Sequence, residues 1–329
     1  ARRRSRRAVE KSLTISGVRW MNLGSWKRRM SELCDMSQPR LSTRENSSDL
    51  QSVEGLFRAI HAKKSFLCVG LDPDPDRIPA CFGQGVEGME TFCYAMVKAT
   101  LPFAVAYKPN LAFFEQYGSE GWSALERVID AIPSDVLVIA DAKRGDIGNT
   151  ASRYAKAMFH GLGADAATVA PYMGRDSVEP FTAFRDRWTV LLALTSNPGA
   201  DDFEFHGSPA LYAKVLDLSQ SFLNADRLMY VVGATRPELL GDIRRRVPDA
   251  FFLVPGVGAQ GGTVADVAKY GMNANGGLLV NSSRGILYAS SQPQTMEDAT
   301  TAAAGAAQVL ADEMAHALKE RGLLDSLHV

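Results

Sequence analysis

From residue 49 onward, short apolar runs rich in Val, Ile, Leu and Ala alternate with longer stretches of helical periodicity. The runs cover residues 65–72, 104–110, 136–141, 164–170, 189–195, 228–233, 251–256 and 276–281. They are too short for core helices and too uniformly apolar for strands wet on one face, so they read as strands covered on both sides. Helical patterns lie near 49–64, 88–101, 119–131, 148–161, 175–185, 209–224, 236–246 and 263–270, with a last helix near 297–321. Strands alternating with helices in this number and length predict an α/β fold, a (β/α)8 TIM barrel over 49–329. The competitor is a doubly wound open sheet, which would carry a glycine-rich phosphate loop after its first strand. Here that position reads Gly70-Leu71-Asp72-Pro73-Asp74-Pro75, and no Walker A motif is present.

A barrel gathers the carboxyl ends of all its strands into one mouth. The third run leads directly into Asp141-Ala142-Lys143-Arg144-Gly145-Asp146. Charged groups there are costly unless paired or used. Regular alternation would put Asp141 and Lys143 on one side. A surface salt bridge at a loop is the competing reading. The first strand ends in Asp72, and the second in Lys108-Pro109-Asn110. The fifth ends Thr195-Ser196-Asn197-Pro198-Gly199. The last two end in Gly256-Val257-Gly258-Ala259-Gln260-Gly261-Gly262 and Asn281-Ser282-Ser283-Arg284-Gly285. Glycine-rich loops with an arginine at strands seven and eight suit a phosphate, because backbone N–H groups can approach the anion and the guanidinium adds a charged fork. Two ordinary turns with a surface arginine would look similar. Acids around Lys143 favour an ammonium there, a proton donor more than a Schiff-base nucleophile.

The formal net charge of -1 offers no general attraction to nucleic acid. The charge is uneven, though: residues 1–30 hold ten Lys/Arg and one acid, Glu10. Residues 1–48 are polar and lack sustained periodicity, and read as a disordered or targeting-like extension. An organelle transit peptide and a simple upstream extension both fit that composition. Four cysteines without a CxxC pair suit a reducing compartment, here the cytoplasm. The five histidines form no HExxH or His-x-His, so no metal site is expected. No apolar run reaches the roughly 18 residues of a membrane span.

The string Asp141-Ala142-Lys143-Arg144-Gly145-Asp146-Ile147-Gly148-Asn149-Thr150 resembles the signature of the orotidine 5′-phosphate decarboxylase family in its DAKRGDIGNT form. The strand ends quoted above occur in that family's order, over roughly residues 50–320. The resemblance implies decarboxylation of orotidine 5′-monophosphate to uridine 5′-monophosphate, the last step of pyrimidine nucleotide synthesis, with no cofactor. It implies a Lys-Asp-Lys-Asp network of Lys108, Asp141, Lys143 and Asp146. In the family the last Asp and a nearby Thr come from the neighbouring subunit, so Asp146 and Thr150 would complete a homodimeric partner's site. Asp72 would bind ribose hydroxyls, and Asn110 would lie near the ribose. Thr195 and Ser196 would contact the pyrimidine. Gln260 and Arg284, with the backbone at Gly285, would hold the phosphate, and the loop carrying Gln260 would act as a lid. Two other readings remain: a different phosphate-binding barrel enzyme, such as a sugar-phosphate epimerase or a metal-using β-keto acid decarboxylase, and a binding-only barrel.

Overall fold

All eight apolar runs form strands: β1 Leu67–Leu71, β2 Ala104–Pro109, β3 Leu137–Arg144, β4 Ala166–Val169, β5 Trp188–Leu194, β6 Leu228–Val232, β7 Phe252–Pro255 and β8 Leu278–Ser282. In the computed structural model, which describes residues 48–234, 237–257 and 262–324, they pair in parallel and in sequence order into a closed barrel. Closure comes from β1 beside β8, where Leu67 faces Val280 and Cys68 faces Asn281. Every residue of β1, β2, β4 and β6 is buried, as expected when helices cover one face of each strand and the barrel filling covers the other. The expectations for residues 1–47 and for Gln260 lie outside the described residues.

The helices form where the periodicity places them, with ends set by local chemistry. The first begins at Val53, later than the apolar pattern suggests, because the Ser52 side chain accepts the Gly55 N–H and the preceding Ser48–Gln51 is a separate 3-10 turn. Helix Met296–Glu320 starts with a capping box, in which Thr295 and Asp298 satisfy each other's backbone N–H groups. It buries Ala299, Ala303, Ala307 and Ala311 at four-residue spacing, and such small side chains let it lie close against helix Gly85–Thr100. Short helices at Leu111–Glu115, Ala200–Phe203 and Arg284–Leu287 follow β2, β5 and β8 within loops that the sequence pattern leaves unstructured. Among the described residues, no helix is long and apolar enough to cross a membrane.

The amino end of the barrel is built for stability. Asp165 is fully buried there, and its carboxylate accepts the Val138 N–H at 2.8 Å and the Gln51 side-chain amide at 3.2 Å. Arg244 of helix Pro237–Arg246 donates to the carbonyls of Val247, Pro248, Ala250, Gly271 and Gly277, while its guanidinium lies 3.7 Å from the Phe252 ring centroid. One side chain thus serves carbonyls from two connections, those leading into β7 and β8. Replacing Arg244 by Met keeps the apolar stem but removes the guanidinium from all five carbonyls; those of Val247, Pro248 and Gly277 keep another donor, and those of Ala250 and Gly271 lose theirs. We expect a loss on the order of 3 kcal/mol in urea unfolding, with little change in ligand binding at the opposite end.

Candidate active site

Asp141 is the hub of the carboxyl end. It sits on β3 and forms an isolated parallel bridge with Asn110, the residue after β2. Its Oδ2 accepts Lys108 Nζ at 2.5 Å, and its Oδ1 accepts Lys143 Nζ at 2.6 Å. The Thr168 hydroxyl of β4 donates to the same Oδ1 at 3.0 Å. The Lys108 and Asp141 side chains are 8% and 7% exposed, whereas Lys143 is 53% exposed. The buried pair therefore forms a fixed base, and Lys143 is the member free to meet an incoming molecule.

The two β3 charges do not share the mouth through regular pleating, as alternation suggested. Between Ala140 and Arg144 the pairing with β4 is irregular, and Lys143 has φ of 44°, a left-handed conformation rare for a residue with a side chain. Thr168 stabilises that turn by accepting the Lys143 N–H at 2.8 Å. Such strain persists where surrounding contacts over-determine it, commonly at reactive sites. Arg144, next in sequence, points to the scaffold: it pairs with Glu115 and donates to the Ala142 carbonyl.

The electrostatics follow from these contacts. Burial pushes the Asp141 carboxyl up, but Lys108 and Lys143 outweigh it and hold the group well below the usual carboxylate range. Burial likewise lowers Lys108, yet Asp141 and then Asp72 more than compensate, so its ammonium is favoured. The nearby Cys68 thiol is pushed up to about 12 by burial, which removes it as a nucleophile.

The remaining expected residues ring this hub. Asp72 follows β1, and its Oδ1 is buried without a hydrogen-bond partner among the described residues. Asn110 caps helix Leu111–Glu115 by accepting the Ala112 N–H. Thr195 and Ser196 follow β5, where close approach of the β6 exit requires a glycine: a Cβ on Gly233 would lie 2.9 Å from that of Ser196. Arg284 and Gly285 are exposed after β8, and no carboxylate among the described residues pairs with Arg284. Asp146 does not join the Asp141 hub; its Oδ1 accepts the Ile147 N–H at 2.8 Å, and Thr150 is exposed on helix Gly148–Lys156.

Two site residues escape the sequence pattern. Thr168 lies inside an apolar strand, where a buried hydroxyl that must find a partner is the only signal. Glu204 accepts both the Thr195 N–H and hydroxyl, each at 2.7 Å. Thr195 therefore faces the mouth mainly as an acceptor, because its donors are already engaged.

The chain is similar over most of its length to known proteins. Residues 65–299 match the model of the Orotidine 5′-phosphate decarboxylase / HUMPS family. The chain belongs to that family. The family span includes every candidate residue from Asp72 to Gly285. An orotidine 5′-phosphate decarboxylase of Flavobacterium johnsoniae is 52% identical over 79% of this chain and 97% of the relative. That of Bacteroides fragilis is 48% identical over 81% of this chain and 98% of the relative. Among solved structures, Leishmania donovani OMP decarboxylase superposes with a TM-score of 0.70 at 37% identity, covering 81% of this chain and 98% of the other. Leishmania donovani UMP synthase gives 0.71 at 38% identity; the match covers 81% of this chain but only 56% of that longer one.

A buried, ionised carboxylate carries a pH signature. The folded Asp141 binds protons less readily than the unfolded one, whose ordinary value is about 4. Its ionised form thus contributes stability above about pH 4, and this is lost as pH falls toward the depressed folded value. In urea unfolding, the stability difference between wild type and Asp141→Asn should shift against wild type as pH falls from 5 to 3. A difference independent of pH would contradict the depressed carboxyl.

Proposed function

We propose that the chain decarboxylates orotidine 5′-monophosphate to uridine 5′-monophosphate and CO2 without a cofactor. The observation that carries this reading is the Lys108–Asp141–Lys143 set at the mouth of the barrel, in a chain whose close relatives bear the name orotidine 5′-phosphate decarboxylase. The substrate carboxylate on C6 enters beside Asp141. Two like charges about 4 Å apart repel by roughly 4 kcal/mol at an effective dielectric near 20, against about 1 in water. Lys108 keeps Asp141 ionised and in place, so that repulsion is not relieved by protonation of the carboxylate. The C6–carboxylate bond breaks, CO2 leaves, and the electron pair remains on C6. Lys143, the exposed cation, stabilises that charge and gives C6 a proton, then regains one from solvent.

The other residues bind. Asp72 takes the ribose hydroxyls, and Asn110 lies alongside. Thr195 and Ser196 meet the pyrimidine edge; with its donors on Glu204, Thr195 suits a ring N–H. Arg284, the Gly285 backbone and Gln260 hold the phosphate. Binding energy from this remote group helps to assemble the reacting centre.

The active form is a homodimer in which Asp146 and Thr150 complete the partner's site. Supporting this, no ion pair among the described residues joins Asp146 to Lys108 or Lys143, and large apolar side chains are exposed on loops after β3, β4 and β5. Ile147 is 54% exposed, Tyr172 82% and Phe203 63%, more apolar surface than isolated residues would leave wet. The enzyme works in the cytoplasm, where the free thiols of Cys68, Cys81 and Cys93 are stable, and residues 1–48 form an extension outside the catalytic domain.

Two measurements test this reading. Purified protein with EDTA should consume the ultraviolet band of orotidine monophosphate. Lys143→Ala should lose at least ~10³-fold in turnover while still binding uridine monophosphate. A flat wild-type trace would overturn the assignment, and near-normal turnover by Lys143→Ala would remove its role as proton donor. Separately, mixing inactive Lys143→Ala and Asp146→Ala subunits should restore activity, because one site in the mixed dimer then carries both wild-type residues. No recovery despite demonstrated subunit exchange would argue against shared sites.

A further inference from the structure

We propose that Tyr288 is a positioning residue that ties the phosphate corner to Asp72. Tyr288 ends the short helix Arg284–Leu287, where its N–H donates to the Arg284 carbonyl at 3.2 Å. Its phenol reaches across 216 positions of sequence to the exit of β1. There the hydroxyl donates to the Asp72 carbonyl at 3.1 Å and accepts the Asp74 N–H at 2.8 Å. The ring is held on Phe92, with centroids 5.6 Å apart and planes inclined by 18°. The Arg77 guanidinium lies 4.1 Å from its centroid. The hydroxyl can therefore act as a fixed pin through the backbone on both sides of Pro73.

The need for such a pin lies in Asp72 itself. One carboxylate oxygen is buried with no hydrogen-bond partner among the described residues, a costly placement for an acceptor. A freely moving turn would rotate that oxygen into water. Contacts to the backbone before and after Pro73 hold the carboxylate where its charge reaches Lys108. Because the backbone of the same residue caps the helix that starts with Arg284, movement of the phosphate corner is transmitted to the ribose contact. This role rests on the proposed contact of Asp72 with the substrate ribose.

Tyr288→Phe keeps the ring and removes only the hydroxyl. Steady-state kinetics on orotidine monophosphate should show KM raised about 5- to 10-fold with kcat within about 2-fold, the cost of losing roughly one to two hydrogen bonds. In an Asp72→Asn background the same change should add less than about 2-fold, because the residue it positions is already impaired. Phe181→Leu, a core truncation away from Tyr288, tests lost stability alone and should lower Tm while leaving KM near wild type. Equal effects of Tyr288→Phe with and without Asp72, or a KM rise in Phe181→Leu matching that of Tyr288→Phe, would overturn the proposal. So would an unchanged KM in Tyr288→Phe. A wild type that fails to turn over orotidine monophosphate would sink the decarboxylase reading and this role with it. An active wild type with an unaltered Tyr288→Phe would sink this role alone.

Discussion

The Asp141 carboxylate is the constraint around which the mouth of the barrel is arranged. It is nearly buried and ionised, a state that requires opposite charge and hydrogen bonds close by. Those partners come from three consecutive strands: Lys108 from β2, Lys143 from β3 itself and Thr168 from β4. Only strands in parallel register, ending at the same level, can supply all three. Asp165, at the other end of the barrel, makes the contrast. It is also buried, and it accepts the Val138 N–H and the Gln51 amide, which joins the barrel to the turn before the first helix. Two buried acids thus serve different ends of the fold because their neighbours differ.

Departures from local regularity collect at the mouth. Lys143 adopts a left-handed backbone, β3 is irregular against β4, an oxygen of Asp72 is unpartnered, and Arg284 faces solvent without a carboxylate. The first three are unfavourable in isolation and are tolerated because the apolar barrel below them is continuous. Side chains outside the reacting set keep these groups in place. Arg144 links the exit of β3 to helix Leu111–Glu115, and Glu204 holds the exit of β5 through Thr195.

The strands and most helices were legible in the sequence because their apolar periods are local. Their ends were less so: Ser52 delays the first helix, and β3 runs on through charged residues that no apolar pattern marks. The strand-end rule located Lys108, Asp141 and Lys143, since polar residues after buried strands stand out against an apolar background. It gave no purchase on Thr168, one hydroxyl in an apolar run, or on Glu204 and Tyr288, ordinary polar residues in short helical connections. Asp146 lies near Lys143 in sequence, yet its carboxylate accepts the Ile147 N–H and forms no ion pair with the hub lysines among the described residues.

By itself the sequence determined the alternation of strands and helices, the charged set at the end of the third strand, and hence the family. Those features are encoded within a few residues of each other, in side-chain period and composition. Tertiary structure alone decided which lysine is buried and which exposed, the left-handed turn that presents Lys143, and the joining of Tyr288 to Asp72. Burial and hydrogen-bond partnership depend on barrel register and closure, which bring β1 beside β8 and place residues 216 positions apart within hydrogen-bonding distance.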